Sequence, residues 1–484
     1  METDEWECFQ ASPDAISRQT GIISGGTFPL PAAGRKITAI RCNIGCQTRG
    51  KPKPMAITNV SSTKVAAGTG GGTSYRSAFL MVTTLFFMWG FLTSLNDILI
   101  PHFKHIFDQN YAQAMLVQFA FFCAYAAFGV PSGKVVEWIG YQRTMVAGLF
   151  TMCLGALLFV PAASALSFPL FLTALIILAA GITALQVAAN PYVSILGPPQ
   201  TASSRLNLTQ AFNSLGTVVG PLLGGFLILG GDSKVQNPQS LDPAARHIYN
   251  LQEAATVKLP YVAIAVALII LGLAIALFKF PRIDTTKDFR PIGEKKDSIW
   301  RHSHVVLGAV AIFVYVGAEV SIGSFLINYF NQPDIGGLTL QEGARLVPVY
   351  WFGAMIGRFI GSAILQKVRT GNLLSLCAIV ACALVIISML SFGHFAVWSI
   401  LLVGLFNSIM FPSIFTLGIA EMGPLTGEAS GLLVTAIVGG ALIPLAQGVI
   451  ADRIGIHHAF ILPVLCYLYI AYYGVRGSRI IMPA

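Results

Sequence analysis

Asn96 and Asp97 lie side by side within Leu85–Phe103, an apolar segment that is long enough to enter a lipid bilayer. A carboxylate at membrane depth is unfavourable unless it faces a watery cavity, has a partner or takes up a proton. We therefore predict that Asp97 binds and releases a coupling proton and that Asn96 contributes to a binding site. The alternative is a structural role, in which Asp97 caps a neighbouring helix.

Two other charged residues, Glu319 and Arg358, fall well inside predicted membrane spans, and Glu137 lies at the edge of one. Three roles stay open for Glu319. It is a second proton site, an acceptor for substrate hydroxyls, or the partner of Arg358 in a buried ion pair that locks one state.

Side-chain amides recur at helical spacing. Gln186 and Asn190 are four residues apart, and Asn207, Gln210 and Asn213 are three apart, so each set shares a helix face. Amides offer both a donor and an acceptor, which suits an uncharged ligand with many hydroxyls, although a single amide can equally join two membrane helices. Aromatic residues would supply an apolar face for a sugar ring. The predicted binding residues are Asn96, Gln186, Asn190, Gln210, Asn213, Asn328, Trp351, Asn407 and Phe411.

The composition indicates an integral membrane protein, with 55% hydrophobic and 11% charged residues and a mean hydropathy of +0.71. Soluble domains carry about 25% charged residues. The net charge of +9 lies in loops and tails, which favours lipid contact and excludes a nucleic-acid partner. Twelve apolar segments are each long enough to span a bilayer. They lie near 79–101, 111–133, 144–163, 167–196, 206–230, 259–280, 304–329, 345–366, 372–391, 394–419, 429–450 and 457–475.

The charges also predict the orientation. Alternate loops hold about fourteen Lys and Arg residues on one side and six on the other, so both termini are expected in the cytoplasm. Residues 1–75 are predicted to be a disordered tail, of which the first 54 are an over-extended start or a regulatory segment. A six-helix half over 76–280, a cytoplasmic linker over 281–303 and a second half over 304–484 would follow.

The two halves resemble each other. Gly90–Phe103 aligns with Gly317–Phe330 at an offset of about 227, and Pro191–Gly197 resembles Pro412–Gly418. Pseudo-symmetric halves predict a binding site at the midplane that opens to alternate sides. The fold class is therefore an all-α membrane protein with twelve transmembrane helices in two six-helix halves. Pro191, Pro221, Pro412 and Pro444 are expected to bend their helices.

Signatures of other function classes are missing from the sequence. We find no phosphate-binding Gly-Lys-Ser/Thr loop, no Ser/His pairing and no Cys or His spacing typical of zinc. The sequence therefore predicts neither an enzyme nor a metal or other cofactor, and its cysteines predict no disulfide framework.

Several longer motifs together resemble the fucose–galactose–glucose:proton symporter family of the major facilitator superfamily. They are LNDILIPHF (Leu95–Phe103), AMLVQFAFF (Ala114–Phe122), LQVAANPYVSILG (Leu185–Gly197), RLNLTQAFNSLGT (Arg205–Thr217), FVYVGAEVSIGSF (Phe313–Phe325) and LFNSIMFPSIFTLG (Leu405–Gly418). The resemblance assigns the proton-linked carboxylate to Asp97 and a sugar-contacting amide to Gln210. One position departs from the pattern, because the fucose permease branch has an acid where this chain has Gln186, and Glu319 is then a candidate replacement.

The resemblance implies a secondary active transporter that imports glucose and galactose with a proton across the bacterial inner membrane. We expect a monomer. Alternatives are coupling to sodium, uncoupled transport, and transport of fucose or amino sugars. A transporter-like sugar sensor that signals through the tail is a further alternative from another class.

Overall fold

The computed structural model describes residues 75–106, 111–228, 242–281 and 298–480. Within them, side chains are described except at 95–106, 111–116 and 221–228 and at three positions between 243 and 253. The predicted tail, most of the predicted linker, and the side chains of Asn96, Asp97 and Pro221 lie outside the described part. The division into a tail, two halves and a linker stays a prediction.

The described chain is helical, and seven helices form the N-terminal group, called the N-half below. Long apolar runs form them because a helix satisfies its own backbone hydrogen bonds without water. Their bounds are α1 Tyr75–Ile106, α2 Tyr111–Ile139, α3 Tyr141–Ser164, α4 Phe168–Ile195, α5 Ala202–Ile228, α6 Pro243–Ala255 and α7 Lys258–Leu277. The short helix α6 belongs to a connection and not to a predicted span.

Nine further helices form the C-terminal group, called the C-half. They are α8 Ser303–Phe330, α9 Leu340–Ile364, α10 Thr370–Leu390, α11 Gly393–Asn407, α12 Met410–Gly418, α13 Thr426–Thr435, α14 Gly439–Ile454, α15 Ile456–Ala459 and α16 Ile461–Tyr472. The last three predicted spans are each divided into two helices here, α11 with α12, α13 with α14, and α15 with α16. Each of the twelve predicted spans thus coincides with one helix or with one divided helix.

Eleven spans among the described residues are long and apolar enough to cross a membrane. The helix at the remaining predicted span is α5, which has 27 residues. Within the N-half α3 packs against α4 and α7, and α1 packs against α5; within the C-half α8 packs against α14 and α10 against α11. Gly216 and Gly220 of α5 lie directly against the α1 backbone, so these two glycines allow the helices to pack closely.

Two prolines at equivalent places in the halves free a backbone carbonyl. Pro191 lies inside α4, and Pro412 follows the break between α11 and α12. Because proline has no N–H, the carbonyl four residues earlier loses its helical donor. These carbonyls belong to Val187 and Ser408, and both accept a side-chain donor instead. Ser430 Oγ donates to the Val187 oxygen at 2.8 Å, and Arg358 Nε donates to the Ser408 oxygen at 3.3 Å.

The halves meet at the end of the bundle where α2, α4 and α9 end and α5 begins, called the closed end below. Glycines allow α2 and α13 to approach there: a Cβ added to Gly133 would lie 2.7 Å from the Gly427 carbonyl oxygen. Ser430 donates across the same seam to the α4 backbone. The charge pattern of the sequence predicts that this end faces the cytoplasm.

One face of α5 contributes most of the polar contacts at the closed end. Ser203 Oγ lies 2.6 Å from Thr416 Oγ1 and accepts from Thr370 Oγ1 at 2.9 Å. At the next residue, Ser204 Oγ donates to the Ser362 carbonyl at 2.7 Å, and Ser362 Oγ returns a bond to the Ser204 carbonyl at 3.0 Å. These neutral contacts join the N-half to the C-half over the first turns of α5.

Candidate functional site

A charged pair lies where α5 of the N-half meets α8 and α9 of the C-half. Arg358 Nη2 is 4.0 Å from Glu319 Oε1, and both side chains are largely buried, at 14% and 13% exposure. The guanidinium also donates to Ser214 Oγ and, at 3.4 Å, to the Gln210 carbonyl. Arg358 therefore connects the carboxylate of one half to the backbone of the other.

The carboxylate has a second, closer partner. The Tyr315 hydroxyl donates to Glu319 Oε1 at 2.7 Å from one turn earlier on α8, and it lies 3.1 Å from the Asn407 carbonyl. A hydroxyl donor and a nearby cation both stabilise an ionised carboxylate. The ion pair foreseen for Glu319 is thus present, while its roles in proton transfer and in substrate binding stay predictions.

Two of the predicted amides are bound to tyrosine hydroxyls. Gln186 Nε2 donates to Tyr125 Oη at 2.8 Å between α4 and α2, and Asn407 Nδ2 donates to Tyr350 Oη at 2.7 Å between α11 and α9. Asn407 also connects through its backbone carbonyl to Tyr315. The structure therefore joins Asn407, Glu319 and Gln210 in one chain of contacts, and Gln186 lies in the corresponding place of the N-half.

The four amides that remain in α4 and α5 differ in their surroundings. Asn213 Nδ2 donates to the Phe86 carbonyl of α1 at 2.9 Å, and Asn207 Nδ2 donates to the Arg358 carbonyl at 2.8 Å. Both bonds are contacts between helices. Asn190 is fully buried, and neither end of its amide has a hydrogen-bond partner among the described residues; the same holds for Gln210 Nε2. Unpaired buried amides in a transporter span mark a place where a polar ligand or water is accommodated.

The predicted aromatic residues lie on the C-half. Trp351 is 39% exposed and stands edge-on to Tyr350, with 5.1 Å between ring centroids. Its indole ring lies over Gly323 of α8, where an added Cβ would be 3.0 Å away. Phe411 is mostly buried and lies near Phe415. Trp351 therefore offers an accessible apolar surface beside the polar chain.

One predicted residue lies away from this chain of contacts, and the side chains of two others are not described. Asn328 is exposed near the last turn of α8, where its carbonyl accepts from Gln332 Nε2 at 3.4 Å. Asn96 and Asp97 belong to α1, and their side chains lie outside the described residues. Their assignment to the site stays a prediction.

Sequence analysis missed the hydroxyl groups of the site. Tyr125, Tyr315, Tyr350 and Ser214 each bond a predicted residue or its partner. One signal was available, because a tyrosine within a membrane span needs a partner for its hydroxyl. Serine and threonine carry no such signal, since they occur throughout membrane helices.

The arrangement suits the recognition of an uncharged polar molecule more than a chemical reaction. It offers amides, tyrosine hydroxyls and one neutralised ion pair beside an exposed indole ring. Among the described residues, no group of three or more His, Cys, Asp or Glu side chains could hold a metal ion. Five free cysteines are present in the same residues.

Comparison with known proteins decides the family. Residues 78–443 match the sequence pattern of the Major Facilitator Superfamily. The chain belongs to the Major Facilitator Superfamily. It is 50% identical over 407 residues to the glucose/galactose transporter of Brucella abortus. The matched residues cover 84% of this chain and 95% of that protein. It is 34% identical over 406 residues to the L-fucose-proton symporter of Escherichia coli, with 82% and 92% covered.

A solved structure supports the same family. The chain resembles a crystal structure of the E. coli fucose:proton symporter with a TM-score of 0.77 and 32% identity, covering 84% of this chain and all of that one. The predicted twelve-helix major facilitator fold and the resemblance noted in the sequence are therefore confirmed. The relatives are transporters, which confirms that the chain is not an enzyme, and the protein is a multi-pass membrane transporter.

Proposed function

We propose that the protein imports a hexose, glucose or galactose, by proton symport through alternating access. The observation that carries the proposal is the 50% identity to a glucose/galactose transporter over 95% of that protein's length. Proton coupling is supported by the L-fucose-proton symporter relative and by the carboxylates Asp97 and Glu319 at membrane depth. The charge pattern supports an inner-membrane location with both termini in the cytoplasm.

The polar chain gives this proposal a physical route. Glucose and galactose differ only in the configuration at C4. A carrier of both is therefore expected to bind the other hydroxyls specifically and to tolerate either configuration at C4. Asn190 and Gln210 supply buried amide groups without a partner among the described residues, and Trp351 supplies an aromatic surface. Unpaired polar groups favour a ligand that satisfies them and disfavour one that does not.

The closed end supports an assignment of the conformational state. Hydroxyl and amide groups of α5 bind the C-half there, and this end is the one predicted to face the cytoplasm. A crystal structure of the fucose symporter described as outward has the same TM-score, 0.77. We therefore propose that the structure represents the state that is closed towards the cytoplasm, which accepts sugar from outside.

Asp97 has the central role in the proposed cycle. Its protonation from outside removes a buried charge, and the loaded carrier then closes around the sugar. Separation of the closed end would break the bonds from Arg358 to Ser214 and Gln210. The guanidinium would keep its two C-half partners, Glu319 and the Ser408 carbonyl. Sugar and proton then leave on the inside, and the empty carrier returns.

Uptake of labelled glucose by proteoliposomes tests the proposal. An inward proton gradient is expected to drive accumulation that a protonophore abolishes, and galactose is expected to compete. Accumulation that follows a sodium gradient instead would replace the proton by sodium, and equilibration without accumulation under either gradient would mean uncoupled transport. Competition by fucose or N-acetylglucosamine, with none by galactose, would contradict the hexose assignment.

A further inference from the structure

Each half contains one tyrosine–amide pair, and the two pairs are equivalent in the repeat. Gln186 binds Tyr125 in the N-half, and Asn407 binds Tyr350 in the C-half. Gln186 and Asn407 are 221 positions apart, the same spacing that relates Pro191–Gly197 to Pro412–Gly418. In both halves the pair joins the second span to the fourth. The arrangement therefore recurs in both halves, although the amide differs in length and the two tyrosines are 225 positions apart.

In both pairs the bond to the tyrosine leaves the carbonyl end of the amide free. Each amide gives its NH₂ group to a tyrosine oxygen, at 2.8 Å in the N-half and 2.7 Å in the C-half. The other ends, Gln186 Oε1 and Asn407 Oδ1, are buried and have no hydrogen-bond partner among the described residues. A buried acceptor without a donor is unfavourable, so both oxygens are poised to accept a hydrogen bond.

The surroundings of Asn407 support the same orientation. Its backbone carbonyl lies 3.1 Å from the Tyr315 hydroxyl, which also donates to Glu319. The residue is thus held at its backbone by Tyr315 and at its side-chain nitrogen by Tyr350. The Asn407 side chain also lies beside the Tyr467 hydroxyl. Its carbonyl oxygen has no hydrogen-bond partner among the described residues and is available to a ligand.

We infer that Tyr125 and Tyr350 are positioning residues, which hold the amides of Gln186 and Asn407 so that each presents its carbonyl oxygen to a donating hydroxyl of the sugar. The inference rests on the proposed function, because it takes the ligand to be a hexose. Both oxygens are screened from bulk water in this conformation, so the contacts form as the halves move around the bound sugar. The sugar is then required to donate a hydrogen bond at two positions.

Analogues that separate donors from acceptors test this requirement. A fluorine in place of a hydroxyl is a weak acceptor and cannot donate, whereas a deoxy position does neither. Competition against labelled glucose is measured with each monodeoxy and each monofluorodeoxy glucose. At two ring positions, deoxy and fluoro analogues are both expected to compete about 3- to 10-fold less well than glucose, as for the loss of one hydrogen bond.

The tyrosine variants assign the two positions. Tyr125→Phe keeps the ring and removes the hydroxyl, so the Gln186 amide is free to turn its NH₂ group towards the sugar. In Tyr125→Phe, the fluorodeoxy analogue of one ring position is then expected to compete nearly as well as glucose. In Tyr350→Phe, the analogue of the other ring position is expected to do so. Tyr329→Phe is the matched control, since that buried hydroxyl bonds Ser388 at 2.9 Å. It should leave the whole pattern unchanged.

The outcomes are distinguishable from those of the proposed function. If wild-type protein takes no glucose, the proposed function and this inference both fail. If it transports glucose but every fluoro analogue competes as well as glucose, only the inference is overturned. This comparison uses wild-type protein and so does not depend on the folding of a variant. If Tyr125→Phe and Tyr350→Phe weaken all analogues by the same factor, as loss of packing would, the positioning role is overturned as well.

Discussion

The glycine seam between α2 and α13 gives a prediction about the conformational equilibrium. Replacing Gly133 by alanine places a Cβ 2.7 Å from the Gly427 carbonyl oxygen and 3.3 Å from the Gly431 Cα. The first contact is about 0.7 Å short of the 3.4 Å at which ordinary contact begins, and both partners are backbone atoms that cannot rotate away. Overpacking of this kind costs about 1–3 kcal/mol. Since the strain exists only when the halves touch, the closed population should fall by about 5- to 150-fold relative to the open one.

Distances between spin labels would measure this shift. Gln200 and Gln366 are exposed at the closed end, one on each half, and can carry labels as cysteines once the native cysteines are replaced. The Gly133→Ala variant should show a longer distance between them. Gly448→Ala is the matched control, because its added Cβ meets only the Phe325 ring, at 3.8 Å. Identical distance distributions in Gly133→Ala and the control would refute the proposed closure along this seam.

Three further predictions concern the carboxylate of Asp97, the ion pair of Arg358 and the hydrogen bond of Ser430. Asp97→Asn should abolish accumulation driven by a proton gradient but retain sugar exchange across the membrane; gradient-driven uptake by this variant would remove Asp97 from the coupling mechanism. Arg358→Gln should lower transport at least about tenfold because it leaves the Glu319 carboxylate without its cation, and Glu319→Gln in the same chain should restore sugar exchange; exchange that stays low in the double variant would contradict the charge argument. Ser430→Ala leaves the proline-freed carbonyl of Val187 unpaired, so the free energy of unfolding should fall by about 1–3 kcal/mol; thermal unfolding in detergent checks this, with Ser430→Thr expected to stay near wild type.

The positions of the spans were predictable because apolar runs of this length have few alternatives to a membrane helix. The divisions within three spans were not all predictable. Pro412 indicated the break after α11, but the 3₁₀ turn at Ala436–Val438 is marked only by Gly439 and Gly440 after it, and glycines also occur within packed membrane helices. Such turns depend on packing between helices, which sequence periodicity does not report.

The charged and amide residues of the site were found from sequence because they are rare in apolar segments. Their partners were not. Tyr125 and Tyr350 are assigned to Gln186 and Asn407 only when helices from distant parts of the chain are packed together. The pairing of Glu319 with Arg358 was foreseen as one of several alternatives, since two opposite charges at similar depth attract each other in a medium of low polarity.

The contacts described between α5 and the C-half at the first turns of α5 have a consequence for pH dependence. They consist of serine and threonine hydroxyls and backbone carbonyls, which keep one protonation state between about pH 5 and 9. Acidification therefore neither tightens nor loosens this set of bonds. A transporter built in this way separates these bonds from its acid-responsive groups: the hydroxyl contacts at the closed end keep a constant strength, and acidity is expected to act on the cycle through carboxylates elsewhere.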